Sequence, residues 1–232
     1  MTKNISGQLP TVITLDGPAG VGKSTLAKRL AETLGVAFMD TGAMFRATGL
    51  LALGQPDAAA ALANGDGKAM LSAMGPVVFS LQGTGMATVL LCNGHALGEE
   101  IRTEQAGMTA ARIASIPDVR LFLKEAQQAM GATTSLVAEG RDMGTVVFPV
   151  ARHKFFLVAD AEERARRRYL QLRQNGKIVI FDQLVQDMKN RDEQDRNRDM
   201  APMRPAEDAI IIDTSLLDFE DVFTTIMEYI RK

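Results

Sequence analysis

Residues 10–34 read PTVITLDGPAGVGKSTLAKRLAETL, and the octet GPAGVGKS at 17–24 has the form G-x-x-x-x-G-K-S. This form is the signature of a loop that binds phosphate groups. The apolar run at 12–15 is typical of a buried strand, and residues 24–34 repeat apolar side chains at helical spacing. Strand, loop and helix therefore follow in the order that the motif requires. A chance glycine-rich turn would lack these flanking patterns, so the stretch predicts a nucleotide-binding site.

The residue types of this loop each have a chemical reason. Its glycines leave room for backbone N–H groups to turn toward a polyphosphate. Lys23 supplies a cation for the β- and γ-phosphates, and Ser24 offers a hydroxyl to the Mg²⁺ that accompanies a nucleoside triphosphate. We therefore expect ATP with Mg²⁺ and a metal ligand at Ser24. The predicted nucleotide-binding residues are Gly17, Pro18, Ala19, Gly20, Val21, Gly22, Lys23, Ser24 and Thr25.

The composition limits what else the chain does. With 232 residues, 46% of them apolar, it can bury one substantial core, and we expect a single domain over 1–232. The net charge of −2 lacks the basic excess of a protein that holds nucleic acid by its phosphates. No long apolar surface stripe stands out in the sequence. The expected partners are therefore small-molecule nucleotides and no nucleic acid, and the expected state is a monomer.

The cysteine count and the distribution of apolar residues indicate a compartment. Cys92 is the lone cysteine, so an internal disulfide is excluded, and the two histidines lie too far apart in sequence to complete a zinc set. The first ten residues lack a cationic start followed by an apolar run. No later stretch reaches the ~18 uninterrupted apolar residues of a membrane span. We expect a cytoplasmic protein with no membrane partner.

The rest of the chain alternates predicted strands and helices. Short apolar runs predict four more strands, at 36–39, 136–138, 154–158 and 209–212. Helical spacing predicts helices at 43–53, 103–116, 118–130, 161–175, 181–197 and 218–229, with a turn at 40–42 and a short helix and loop within 55–74. Strands separated by helices predict a five-stranded parallel sheet with helices on both faces.

One segment breaks this alternation. Residues 77–81 and 88–92 are strand-like runs separated by glycines, and Asn93-Gly94 is a tight-turn signal. Antiparallel strands inside a strand and helix alternation predict a small inserted lobe, which we place at about 68–103.

Charged residues cluster at two places. Glu139, Gly140, Arg141 and Asp142 follow a predicted strand, where ligands of a doubly wound sheet bind. The helix at 161–175 is dense in arginine and is preceded by a D-x-x-E pattern typical of a capping box. Such a run repels itself unless an anion or acidic neighbours lie close. Two interpretations stay open: a mobile cover over phosphates, or a solvated helix partly compensated by its own glutamates.

Seven stretches spread over nearly the whole chain resemble the bacterial cytidylate kinases, which are nucleoside monophosphate kinases. The two most specific are EGRDMGTVVFP at 139–149 and RDEQDRNR at 191–198, and the others lie at 15–25, 39–46, 101–103, 116–120 and 162–168. The resemblance implies the phosphate-loop kinase fold, with an enlarged monophosphate-binding lobe. It also implies transfer of the γ-phosphoryl group of ATP to CMP or dCMP, within pyrimidine nucleotide metabolism.

The resemblance also implies roles for individual residues. Thr41, Asp195 and Arg198 would hold the sugar of the acceptor, while Arg120 and Asp142 would read the cytosine edge. Arg46 and Arg141 would hold the acceptor phosphate, because a guanidinium bonds phosphate in bidentate fashion. A lid at about 160–178 would meet ATP or the transferred phosphoryl group. The implied catalytic residues are Lys23, Arg141, Arg164, Arg167 and Arg168.

Two positions depart from the family's pattern. Ala111 stands where a serine that helps to contact the base is expected, so base discrimination is either weaker or supplied by a neighbour. Phe45 replaces a tyrosine, which removes a phenol and keeps the ring.

Other functions make different predictions. A related kinase for UMP, AMP or shikimate would share the phosphate loop but lack the block at 139–149. A nucleotide-dependent switch needs no such block either, and the guanine-reading N-K-x-D pattern is absent from the sequence. The acidic partner of Mg²⁺ stays open between Asp160 and Asp213, which both follow apolar strands.

Overall fold

A computed structural model describes residues 10–174 and 176–231. Of the first ten residues, in which the sequence shows no cationic start followed by an apolar run, the structure describes only Pro10. The predicted helix end at Asn175 lies outside the described residues. Over these same ranges, no helix combines the length and the apolar character needed to cross a bilayer.

The main element is the expected five-stranded parallel sheet. Its strands are β1 (Val12–Asp16), β2 (Ala37–Asp40), β6 (Leu136–Gly140), β7 (His153–Val158) and β8 (Ile210–Asp213). They are arranged in the order β2-β6-β1-β7-β8. In the parallel register, Leu15 faces Phe155 and Phe155 faces Ile210. The strand that leads into the phosphate loop is therefore central.

Helices account for most of the remaining described residues. They are α1 (Lys23–Leu34), α2 (Thr41–Leu53), α3 (Pro56–Ala63), α4 (Gly67–Met74), α5 (Glu104–Ile113), α6 (Pro117–Thr133), α7 (Ala161–Gln174), α8 (Phe181–Arg196) and α9 (Phe219–Arg231). A π-helical turn, Met143–Val147, follows β6 and was not predicted.

The described residues divide into two compact units. Residues 10–11 and 31–136 form unit 1, and residues 12–30, 137–174 and 176–231 form unit 2. In unit 2, β1 and β7 are almost wholly buried, with Leu15, Phe155 and Leu157 at most 1% exposed. Strands of a covered parallel sheet lose water on both faces, which explains why these strands read as continuous apolar runs rather than as an alternation.

Unit 1 contains the predicted antiparallel insertion. Strands β3 (Phe79–Gln82), β4 (Val89–Cys92) and β5 (His95–Ala96) form a three-stranded sheet in sequence order. Asn93 and Gly94 link β4 to β5 with φ values of 50° and 79°. Glycine and asparagine are the residues that adopt this region most readily. The Asn93 side chain also accepts a hydrogen bond from the Val78 N–H at 2.7 Å, which stabilises the turn.

The turn predicted at 40–42 is wrong, because α2 already begins at Thr41. Asp40 is its N-cap, and the carboxylate accepts a hydrogen bond from the Ala43 N–H at 2.9 Å. An N-cap aspartate satisfies a backbone donor that the first helical turn leaves unpaired, so the D-T-G sequence starts a helix here.

Two further helix predictions need correction. The helix expected to close at Gly131 continues to Thr133, because Met130 and Gly131 are buried in its packed face. This packing outweighs the helix cost of glycine, ~1 kcal/mol. Residues 55–74 form two helices rather than one helix and a loop, with Asp66 capping the second through the Ala69 N–H.

The capping box predicted at Asp160 and Glu163 is not formed, although α7 begins where expected. The Asp160 N–H donates to the Ser215 hydroxyl at 3.1 Å. The Glu163 carboxylate instead accepts from Arg166 and Arg167 at 2.8–3.0 Å. Charged guanidinium donors form stronger hydrogen bonds than a neutral amide, so they take the carboxylate.

Candidate functional site

The phosphate loop lies in unit 2 between β1 and α1. Gly17 has a φ of 143°, and a Cβ there would lie 2.3 Å from the Leu157 carbonyl oxygen. Gly22 has a φ of 96°, again in the left-handed region that favours glycine. The path of the loop therefore requires glycine at both positions. Of the predicted loop residues, those buried are Gly17, Pro18, Val21 and Lys23, and those exposed are Gly20, Gly22, Ser24 and Thr25.

Lys23 is the buried cation of this loop. The residue is 6% exposed, and its Nζ donates a hydrogen bond to the Pro18 carbonyl oxygen at 2.7 Å. Burial lowers the pKa of Lys23 to about 7, and the nearby charge of Arg141 acts in the same direction. The Lys23 side chain is thus held across the loop, where a bound anion would raise its lowered pKa.

The Ser24 hydroxyl donates a hydrogen bond to Glu139 Oε2 at 2.8 Å. Glu139 is 5% exposed and lies in β6, the strand beside β1. A hydroxyl and a carboxylate are oxygen ligands of the kind that Mg²⁺ takes in proteins. Within residues 10–174 and 176–231, no group of three or more His, Cys, Asp or Glu side chains is placed to hold a metal.

The two other candidates for the acidic partner have different roles. The Asp213 carboxylate accepts a hydrogen bond from the Ser215 N–H at 2.8 Å, and hydrogen bonds from Ser215 lower its pKa. Asp213 ends the edge strand β8, which is separated from β1 by β7. Asp160 follows β7 and its N–H pairs with Ser215. Glu139 is therefore the carboxylate that contacts Ser24.

A second buried carboxylate, Asp16, connects the end of β1 to the π-helical turn. It accepts from the Met143 N–H at 2.9 Å and from the Gly144 N–H at 2.7 Å, and it is 4% exposed. This pair of hydrogen bonds fixes the turn that follows Arg141 and Asp142. Burial nevertheless raises the pKa of Asp16 to about 6, because the loss of water outweighs the two backbone hydrogen bonds.

We expect the buried Asp16 to make the folded protein take up a proton well above the ordinary range of aspartate. Its pKa of about 6 in the folded state compares with 3.8 in the unfolded chain, so the folded state binds more protons between these values. The contribution of Asp16 to stability therefore falls as the pH rises from 4 to 6, by about 3 kcal/mol. A ¹³C NMR titration of the Asp16 carboxyl measures the midpoint directly. A midpoint below 4.5 contradicts this prediction.

Arg141 is held in place by Asp195 on α8. Its Nε donates to Asp195 Oδ2 at 2.9 Å, and its Nη1 donates to the Gly140 carbonyl oxygen at 3.3 Å. The other oxygen of Asp195 pairs with Arg198. Asp195 is 3% exposed in its side chain, while the two arginines are 19% and 20% exposed. One buried carboxylate thus orients two partly exposed guanidinium groups.

The three predicted arginines of α7 have different surroundings. Arg164 is 2% exposed and pairs with Asp192 of α8 at 2.5 Å. Arg167 donates to Glu163 and to the Thr214 carbonyl oxygen, the latter at 2.6 Å. The exposed Arg168 donates to the Gln171 side chain at 2.6 Å. Acidic neighbours therefore do compensate part of the arginine run, and Arg164 alone of the three contacts the phosphate loop in the described residues, through Ala19 at 3.0 Å.

Unit 1 holds the other three predicted acceptor residues. Arg46 pairs with Asp40 at 3.0 Å, and both side chains are about one-third exposed or less. Arg120 lies over the Phe45 ring, 5.8 Å from its centroid, and donates to the Ala114 carbonyl oxygen at 3.2 Å. Thr41 is buried at the start of α2. The ring kept at position 45 therefore supports the arginine through a cation–π contact.

The family model described as cytidylate kinase matches residues 13–232. The chain belongs to the cytidylate kinase family. A relative named cytidylate kinase from Nitratidesulfovibrio vulgaris is 55% identical over 222 residues, which cover 95% of this chain and 92% of the relative. The relative from Oleidesulfovibrio alaskensis is 52% identical over 220 residues, 95% of this chain and 98% of that protein. The relative from Pasteurella multocida is 45% identical over 221 residues, 95% of each chain.

For this cytidylate kinase family member, the sequence assigned no individual role to three carboxylates that the structure shows to be buried. Glu139 was noticed but given no role, while Asp16 and Asp192 were not singled out. Each is an acid next to a loop or on a charged helix, which is an ordinary place for an exposed residue. Their contacts join segments 28 to 128 positions apart. Of the three, only Glu139 had a signal in the sequence, because it follows a predicted strand. The strand order was needed to show that this strand lies beside β1.

Proposed function

We propose that this protein transfers the γ-phosphoryl group of ATP to the 5′-phosphate of CMP or dCMP. The products are ADP and CDP or dCDP. An oxygen of the acceptor phosphate forms a bond to the γ-phosphorus, and the bond from that phosphorus to the bridging oxygen breaks, with its electron pair leaving on ADP. The acceptor oxygen is already anionic, so no strong general base is required.

One observation carries the proposal: unit 2 combines a phosphate loop with an arginine pair held by a buried carboxylate. Lys23 and Ser24 serve the donor in this proposal, and Arg141 and Arg198 serve the acceptor. Orientation by Asp195 before binding lowers the cost of ordering these side chains in the transition state. A switch protein that only hydrolyses nucleotide has no use for a second, separately oriented set of ligands for an acceptor.

The proposed role of each residue follows from the contacts of its side chain. Lys23 moves from the Pro18 carbonyl oxygen to the β- and γ-phosphates. Ser24 and Glu139 would hold Mg²⁺, because the Ser24 hydroxyl and the Glu139 carboxylate lie in contact. When bound, Mg²⁺ neutralises charge on the donor phosphates. Of the lid arginines, Arg167 and Arg168 are proposed to stabilise the transferred group and to exclude water, which would otherwise accept it. Arg164 is proposed to support the phosphate loop through the Ala19 carbonyl oxygen.

We assign the acceptor's base to Arg120 and Asp142 and its sugar to Thr41, Asp195 and Arg198, with Arg46 joining Arg141 at the phosphate. Asp142 is 6% exposed, so its carboxylate is largely withdrawn from water. A buried carboxylate accepts a hydrogen bond from the exocyclic amine of cytosine, whereas the carbonyl of uracil offers it no donor. Sites of this kind reject the analogue that lacks the donor.

Replacing Arg120 by alanine is expected to raise KM for CMP by about tenfold, the worth of one charged hydrogen bond. A smaller fall in kcat is expected, because the base is remote from the reacting phosphorus. Steady-state kinetics with CMP varied at saturating ATP measure both constants. Lys124→Ala, one turn further along α6, is the control. A large loss of kcat with an unchanged KM would show that Arg120 does not bind the base.

The function itself is tested by ADP release from Mg-ATP with CMP, dCMP, UMP, AMP and shikimate offered separately. Lys23→Ala serves as the blank. Strong stimulation by CMP and dCMP alone is the expected result. Equal stimulation by UMP would show weak base selection, and Ala111→Ser should then restore it. No stimulation by any acceptor overturns the kinase proposal in favour of a nucleotide-dependent switch.

We further propose that the protein works as a monomer in the cytoplasm, with no nucleic acid or membrane partner. The support is the near-neutral net charge of −2 and the small acceptor implied by the site. Light scattering of the purified chain measures the first of these properties.

A further inference from the structure

Helix α8 presents two buried carboxylates one turn apart. Asp192 and Asp195 are each 2% exposed and lie three positions apart, so they share a face of the helix. Asp195 holds Arg141 and Arg198, which the proposed function already uses. Asp192 has no role in that proposal.

Asp192 fixes the guanidinium group of Arg164. The pair is 2.5 Å apart, and each side chain is 3% exposed. Arg164 also donates from Nε to the Ala159 carbonyl oxygen and from Nη1 to the Ala19 carbonyl oxygen, both at 3.0 Å. All three nitrogens of the guanidinium are therefore engaged, and its plane has one orientation.

The contact with Ala19 sets the direction of a peptide group in the phosphate loop. A peptide unit is planar and trans, so the N–H of Gly20 points away from the carbonyl oxygen of Ala19. While Arg164 binds that oxygen, the Gly20 N–H must face away from Arg164. Gly20 itself has a φ of 78°, a conformation in which glycine permits the loop to turn.

The second carboxylate oxygen of Asp192 indicates that the ion pair with Arg164 does more than stabilise the fold. Asp192 Oδ1 is buried and has no hydrogen-bond partner among the described residues. An unpaired buried carboxylate oxygen is costly, and a buried ion pair is often no more stabilising than an apolar pair of similar size. The ion pair between Asp192 and Arg164 therefore indicates a functional role.

We propose that Asp192 is a positioning residue for the donor triphosphate, which acts through Arg164 and the Ala19 carbonyl to orient the Gly20 N–H. The inference rests on the proposed function only in that the loop binds a triphosphate. Helix α8 then supports Arg164, which contacts the phosphate loop, as well as Arg141 and Arg198. Asp192 itself touches no substrate.

The test is the affinity for Mg-ATP, measured by calorimetry without an acceptor. Asp192→Asn should weaken binding by about tenfold, because one charge-assisted contact that orients the loop is lost. The adjacent exposed residue provides a matched control, and Glu193→Gln should bind as the wild type does. KM for CMP should change by less than about twofold. Unchanged Mg-ATP affinity in folded Asp192→Asn overturns the proposal.

A double-mutant cycle separates positioning from a purely structural role. If Asp192 acts through Arg164, adding Asp192→Asn to Arg164→Gln causes no further loss of Mg-ATP affinity. Additive losses contradict the proposal. If Asp192→Asn does not fold, the double variant Arg164→Leu with Asp192→Leu removes both buried charges together and is expected to fold. Wild-type affinity in that variant would equally overturn it.

The outcomes distinguish this inference from the proposed function. A failure of CMP to stimulate ADP release concerns the acceptor and leaves the affinity test intact. A normal CMP response combined with unaltered affinity in the Asp192 variants removes the positioning role and leaves the kinase proposal standing.

Discussion

Replacing Lys23 by alanine is expected to lower kcat by about a thousandfold while the fold is retained. The ammonium is the buried cation of the loop, and its hydrogen bond to the Pro18 carbonyl oxygen is exchanged for contacts with the phosphates when they bind. Removing one preorganised electrostatic contact to a developing charge costs roughly 10²- to 10³-fold in rate, and Lys23 carries a full charge when bound phosphates favour its charged form. The fold should persist because burial disfavours the charged lysine, as its lowered pKa shows.

Lys28→Ala is the matched control for this variant. Lys28 lies in the same helix but is exposed, and its removal should leave kcat within about a factor of two. The measurement is single-turnover transfer from ATP to CMP at saturating concentrations, with circular dichroism melts of both variants. A Lys23→Ala enzyme that keeps a tenth of the wild-type rate contradicts the assigned role.

Replacing Arg141 by alanine is expected to lower kcat by roughly 10³-fold, in the range of other arginines that neutralise a transferred phosphoryl group. Arg141 is held by Asp195 and the Gly140 carbonyl oxygen, so its fork is oriented before the acceptor binds. The loss should not unfold the protein, because Asp195 keeps its pairing with Arg198.

Arg141→Lys distinguishes charge from geometry at this position. Lysine keeps the charge but lacks the planar fork that bonds phosphate and carboxylate in bidentate fashion, so only part of the rate should return. Arg152→Ala, at an exposed arginine after the π-helical turn, should behave as wild type. Near-normal turnover in Arg141→Ala, measured as single-turnover transfer, would remove this residue from the catalytic set.

Much of the fold could be predicted from the sequence because its signals are local. The octet at 17–24, with its flanking strand and helix, predicted β1, the loop and α1 to within a residue at each boundary. The turn signal Asn93-Gly94 predicted antiparallel pairing for the same reason, since glycine and asparagine alone fit that backbone readily. The errors in the predicted elements lie where a side chain can bond to more than one backbone group. The Asp40 carboxylate, for example, caps α2 instead of forming a turn.

The sequence by itself determined the nucleotide-binding loop, the alternation that makes a parallel sheet and the family to which the chain belongs. Only the tertiary structure decided that Glu139 contacts Ser24, that Asp195 orients Arg141 and that Asp192 holds Arg164 against the Ala19 carbonyl oxygen. Whether an acid is a solvated surface charge or a buried ligand depends on which elements pack around it. That depends on the strand order and on how α7 meets α8, and local spacing in the sequence carries no record of either.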